Sequence, residues 1–124
     1  MQINEPEIVA EVTQQVMRYE QALVNNEIAV LNELFWHSAH TVRLGASENL
    51  FGYDAIAQFR SHRPTKGLQR TVEKVTVSTF SEQLACAHVI FSRPGQPLGR
   101  QSQTWVKIDQ QWRIVSAHVS TLKS

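Results

Sequence analysis

The chain has 124 residues, enough for one domain to bury a core without disulfide or metal staples. Hydrophobic residues at 42% and charged residues at 19% exclude a disordered chain. Twelve basic against eleven acidic side chains leave a net charge of +1, which offers no electrostatic footprint for a nucleic-acid partner.

The N-terminus, Met1-Gln-Ile-Asn-Glu-Pro-Glu7, is polar and acidic, unlike a signal peptide. No apolar run approaches the roughly 18 residues of a membrane span. The expectation is a cytoplasmic protein with no membrane partner. Ile8, Val12, Val16, Tyr19 and Leu23 then recur at steps of three and four, the period of an amphipathic helix. Asn4 is the expected N-cap, with Pro6 early in the helix and acids in the first turn. Asn25-Asn26 ends it. Ile28, Leu31, Leu34 and Phe35 predict a second helix.

After Trp36-His37-Ser38 the period changes. Thr41–Leu44 reads as a short strand broken by Gly45, and Glu48–Phe51 as its return. Tyr53–His62 is helical again, and Pro64 stops it. The last half is β: Gln69–Phe80, Leu84–Ser92, Leu98–Ile108 and Gln111–Thr121, separated by turns at Arg93–Pro97 and Asp109-Gln110. Helices followed by a meander of strands predict one α+β domain over residues 1–124, with helices on one face of the sheet.

Individual residues carry two readings each. Tyr19 lies on the apolar stripe, either as a core aromatic or as a hydroxyl aimed into a pocket. Arg43 faces opposite to Val42 and Leu44, toward a pocket or toward solvent. Arg60 and Arg63 share a helical face, as pocket cations or as a solvated helix end. Gln103 shares a strand face with Gln101 and Trp105 and is the chosen polar pocket contact, against an exposed ladder residue. Trp36 lines the pocket or packs a helix end. Cys86 reads as a small buried core residue, because a lone cysteine forms neither a disulfide nor a zinc cluster. His118 is expected on the outer face of the last strand, with Arg113, Val115, Ala117 and Val119 inside. The roles of His88 and His118 stay open. Apolar or semi-polar groups on both faces of the late strands call for another layer, which a homodimer supplies.

The helix-then-meander order and the final hairpin Trp105-Val-Lys-Ile-Asp-Gln-Gln-Trp-Arg-Ile-Val-Ser-Ala-His118 resemble the nuclear-transport-factor-2-like (NTF2-like, SnoaL-like) superfamily. That resemblance implies a cone, with helices packed on a curved, mainly antiparallel sheet around one pocket. Tyr19-Glu-Gln-Ala-Leu, Leu34-Phe-Trp36, Thr41-Val-Arg43-Leu-Gly45, Glu48-Asn-Leu50, Phe59-Arg60 with Arg63, and Gly99-Arg-Gln-Ser-Gln-Thr-Trp105 are similar to the AtzH-like group of oxalurate and cyanuric-acid catabolism. The resemblance implies an enzyme without cofactor or metal, a lyase or decarboxylating amidohydrolase acting on a small carboxylated urea. The implied reaction is decarboxylation of 1,3-dicarboxyurea to allophanate, with Tyr19 and Arg43 as the catalytic pair. Arg60, Arg63, Gln103 and Trp36 would bind the substrate. A different class stays beside it: a non-catalytic module that binds a small carboxylate or supports a partner amidase. A generic isomerase or dehydratase of this fold would need a pocket Asp, Glu or His as base, where these positions offer arginine, tyrosine and glutamine.

Overall fold

The structure, a computed structural model, describes residues 1–123. Helix α1 (Pro6–Val24) buries Val12, Val16, Tyr19 and Leu23, the stripe its periodicity predicts, and ends where Asn26 turns left-handed at φ 52°. Helix α2 (Ile28–Leu34) stops one residue early, because Phe35 is extended and bridges Ile114. Next come β1 (Val42–Leu44), β2 (Asn49–Phe51) and α3 (Tyr53–His62), then β3 (Thr71–Ser81), β4 (Leu84–Ser92), β5 (Gly99–Ile108) and β6 (Gln111–Thr121). The strands form one six-stranded sheet in the order β2-β1-β6-β5-β4-β3. Only β1 and β6 run parallel; every other neighbouring pair is antiparallel. Three helices on one face of this sheet make the expected α+β cone. No helix among the described residues is long and apolar enough to cross a membrane.

Asn4 does not cap α1. Glu5 occupies the cap position, without a side-chain cap hydrogen bond. Asn4 instead sits left-handed at φ 59° and clasps β3: its N–H donates to the Thr79 carbonyl at 3.0 Å, and its Oδ1 accepts from the Thr79 N–H at 2.9 Å. The positive φ turns the side chain toward the strand and away from the helix, so the residue ties α1 to the sheet.

The inner face of β4 is Ala85, Ala87, Val89 and Phe91, all buried. Strict alternation puts Cys86 on the other face, where it is half-buried outside the core. On β6 the alternation is interrupted. Trp105 pairs with Ile114 and Thr104 with Ser116, so Val115 is the extra residue of a bulge. Ile114 and Ala117 both point inward, and the inner set becomes Trp112, Ile114, Ala117 and Val119. His118 is exposed on the outer face beside Ser102, to which His88 is joined at 3.0 Å.

The clasp at Asn4 generates a prediction. In Asn4→Ala the Thr79 N–H loses its acceptor, and thermal or urea unfolding is expected to show a loss of about 1–2 kcal/mol.

Candidate functional site

Three pieces of chain meet at the mouth of the cone. The end of α1 brings Tyr19, the β1–β2 hairpin brings Arg43 and Glu48, and the inner faces of β4 and β5 bring Phe91 and Gln101. Together with Phe59, Arg63, Arg70, Arg93 and Val119 they line a cavity of about 190 Å³. That is smaller than the roughly 300–1,000 Å³ typical of drug-sized ligands. A larger groove of about 560 Å³ lies between the N-terminus, Phe80 and Lys107, lined by Glu5, Glu7, Glu11 and Glu82 among others, and shares no residue with the Tyr19 cavity.

Local structure explains each arrival. Arg43 pairs across β6 with buried Ala117, so its side chain lies on the inner face. Glu48 meets it at 3.2 Å, folding over Gly45, where a Cβ would collide with that carboxylate. Arg63 lies just past the end of α3. The following Pro64 forces it into an extended conformation at ψ 137°, so it leaves the helical face of Arg60 and turns to the cavity. Arg70 precedes β3 and makes a buried ion pair with Glu20 of α1, its side chain 2% exposed. The pair is bidentate, from Nε and Nη2 of Arg70 to the two carboxylate oxygens. Arg93, just after β4, and Arg70 lie on the Phe91 ring at 5.0 and 4.0 Å from its centroid. Gly99 opposite leaves the space for that ring, since a Cβ there would be driven into it.

Charge dominates the site. Four arginines line it against the carboxylates of Glu48 and Glu20, leaving two positive charges uncompensated. Nε and Nη2 of Arg63 and Nε of Arg93 are buried and find no acceptor among the described residues. Burial, with other arginines close by, pulls both guanidinium groups below their ordinary range. Such groups cost several kcal/mol unless an anion meets them. Arg60 lies behind the cavity. It bonds Asn32 Oδ1 and sits over the Phe35 ring. Burial, with Arg63 and Arg43 near, lowers it to about 10, still cationic at neutral pH.

Tyr19 is 2% exposed, and its hydroxyl accepts a hydrogen bond from Gln101 Nε2 at 3.2 Å. Burial alone would raise its phenol. Arg43, Arg70, the Gln101 hydrogen bond and Arg60 outweigh that and hold it below the ordinary tyrosine range.

Of the residues singled out in the sequence, Tyr19, Arg43 and Arg63 meet at the cavity. Arg60 stands one layer behind. Gln103 is buried one rung deeper on β5, where its Oε1 accepts from the Trp105 indole at 2.9 Å; it does not line the cavity. Trp36 is half-buried and stacks on His40 outside it. Glu20, Glu48, Arg70, Arg93 and Gln101 escaped sequence reasoning. Arg93 sits in a segment that reads as a turn, and Arg70 in one that reads as the start of a strand, although β3 begins at Thr71. Gln101 shared its signal with Gln103, and strand period alone cannot rank two residues on one face. Among the described residues no three His, Cys, Asp or Glu side chains are placed to hold a metal ion.

Comparison with known proteins agrees with this architecture. The family model described as AtzH-like matches residues 1–124. A protein of unknown function from Pectobacterium atrosepticum is 47% identical, with a TM-score of 0.94 over 98% of this chain and 95% of its own. A cystatin-like-fold protein from Burkholderia xenovorans is 38% identical, also at 0.94, over 100% and 98%. An NTF2-like superfamily protein from Salmonella enterica, 22% identical at a TM-score of 0.74 over 95% and 93%, shares the fold. No curated protein sequence matches.

The cation surplus predicts that a small dianion stabilises the fold. Saturating malonate is expected to raise the melting temperature. Gly99→Ala, by displacing Phe91 and the guanidinium groups on it, is expected to cost about 1–3 kcal/mol and to abolish the malonate effect in a thermal-shift titration.

Proposed function

The chain belongs to the AtzH-like family, and we propose that its cavity decarboxylates a small carboxylated urea without a cofactor, as in the conversion of 1,3-dicarboxyurea to allophanate. The observation that carries this reading is the pair of uncompensated positive charges beside a buried tyrosine of lowered pKa. A planar dianion with two N-carboxylates matches both the charge and the small volume.

The residues divide the work. Arg63 and Arg93, whose N–H groups lack protein acceptors, hold the carboxylate that stays. Arg43 engages the carboxylate that leaves. The C–N bond breaks, its electron pair remains on nitrogen, and the Tyr19 O–H supplies the proton to that nitrogen. Carbon dioxide departs, and the product keeps one negative charge. The phenolate left on Tyr19 is stabilised by Arg43 and Arg70 and by the Gln101 N–H, the same groups that lower its pKa. Water returns the proton. Glu48 and Glu20 are poor candidates for a base, because each is engaged by an arginine.

The step fits a cytoplasmic urea-derivative catabolism next to an amidase. A second copy of the chain would cover the outer sheet face, where half-buried Cys86 and Ile90 flank His88 on β4 and His118 lies across Ser102. Sedimentation of the purified protein is expected to give twice the chain mass.

Carbon dioxide release from freshly generated 1,3-dicarboxyurea tests the reaction. The native protein is expected to exceed the spontaneous rate, and Tyr19→Phe and Arg43→Met each to lose on the order of 100-fold or more while keeping a native melting curve. Malonate binding without any release would replace the enzyme by a carboxylate-binding module associated with an amidase.

A further inference from the structure

One chain of hydrogen bonds runs from the interior to the Tyr19 hydroxyl, and its polarity is fixed. Glu20, 4% exposed, accepts from Arg70. The same Nη2 of Arg70 donates to Gln101 Oε1 at 2.9 Å. A guanidinium has no acceptor, so the Gln101 amide can present only its oxygen to Arg70. Its nitrogen must then face Tyr19, 3.2 Å away. An amide nitrogen accepts no hydrogen bond, so the contact runs from Gln101 to the phenol oxygen. The Tyr19 proton is therefore unused in the protein: among the described residues the hydroxyl makes no other hydrogen bond. Tyr19 itself lines the cavity.

We propose that Gln101, clamped by the buried Glu20–Arg70 pair, is a positioning residue that makes the Tyr19 oxygen an acceptor on its protein side and so directs the Tyr19 proton into the cavity. This deepens the decarboxylation reading, on which it rests for the atom that receives the proton. Three features make the clamp rigid. Gln101 is 1% exposed, Arg70 stacks on Phe91, and the Glu20 carboxylate holds Nε and Nη2 of the guanidinium together. A freely rotating phenol would spend its proton on any acceptor. Here no acceptor among the described residues takes it, so the acceptor is the one a ligand brings.

The chain has two tyrosines, Tyr19 and Tyr53. Tyr53 packs on His37 away from the cavity, so Tyr53→Phe leaves Tyr19 as the single phenol. Its ionisation is then read from phenolate absorbance during a pH titration. With Gln101 intact, Tyr19 is expected to ionise below an ordinary tyrosine, and saturating malonate to move its ionisation upward. In the same background Gln101→Met should raise the ionisation, because the donor to the phenolate is gone. Gln101→Glu should raise it further, because a carboxylate clamped by Arg70 accepts a hydrogen bond from the neutral Tyr19 O–H and repels the phenolate. With dicarboxyurea, Gln101→Met should lower kcat about tenfold, the worth of one hydrogen bond, with KM little changed. A Tyr19 ionisation indifferent to residue 101, or indifferent to malonate, overturns the proposal. The malonate arm needs no substitution at Gln101, so it decides even where those variants fold poorly. Absence of carbon dioxide release together with the expected titrations would overturn the reaction and leave the directed phenol standing.

Discussion

Positive charge withdrawn from water is the constraint on which the mouth of this cone is organised. Five arginines, Arg43, Arg60, Arg63, Arg70 and Arg93, crowd a volume that one helix and two strands would otherwise close with apolar side chains. Each guanidinium must be met by a carboxylate, an aromatic face or a ligand, since isolated burial is prohibitive. Glu20 and Glu48 meet two of them, Phe35 and Phe91 present their faces to three, and Arg63 and Arg93, which keep N–H groups without an acceptor among the described residues, line the cavity. Small details of the fold follow. Gly45 makes room for Glu48, and Gly99 makes room for Phe91.

The same electrostatics set the chemistry of Tyr19. A phenol buried in an apolar core is a weaker acid than one in water. Cations and one directed hydrogen bond reverse that here, so the group that α1 carries on its core-facing stripe becomes a better proton donor. Core and site are thus one layer of side chains. Val12 and Val16 pack below, Tyr19 and Glu20 turn the layer polar, and Leu23 closes its far edge. This helps a small domain hold a charged cavity: the inner face of β4 stays apolar through Ala85, Ala87 and Val89, and the charged groups gather toward the mouth.

Likeness of fold says little about chemistry in this architecture. Structures with 10–22% identity still superpose over most of the chain. What bears on chemistry is the set of arginines, the tyrosine and their partners at the mouth of the cone.

Much of the fold was legible in the sequence because it follows from periodicity. The stripe of α1, the break at Pro64, the turn at Asp109-Gln110 and the alternation of β4 and β5 each depend on neighbours within a few residues. Tyr19 and Arg43 were legible through a family resemblance and through the faces they occupy. What the tertiary structure alone decided is everything that depends on distant neighbours. Asn4 reads as a helix cap but binds Thr79, 75 residues away. The bulge at Val115 reverses the facing of Ile114 relative to Ala117, and a period of two cannot announce an extra residue. Arg70 looks like an ordinary residue at the start of a strand and Arg93 like a turn residue until Glu20, 50 residues from Arg70, and the Phe91 ring give them a place. The choice of Gln101 over Gln103 is of the same kind. Local sequence fixes which face a side chain takes, whereas the depth at which it meets a partner is set by how helices and sheet pack, and charge, hydrogen bonding and acidity all depend on that depth.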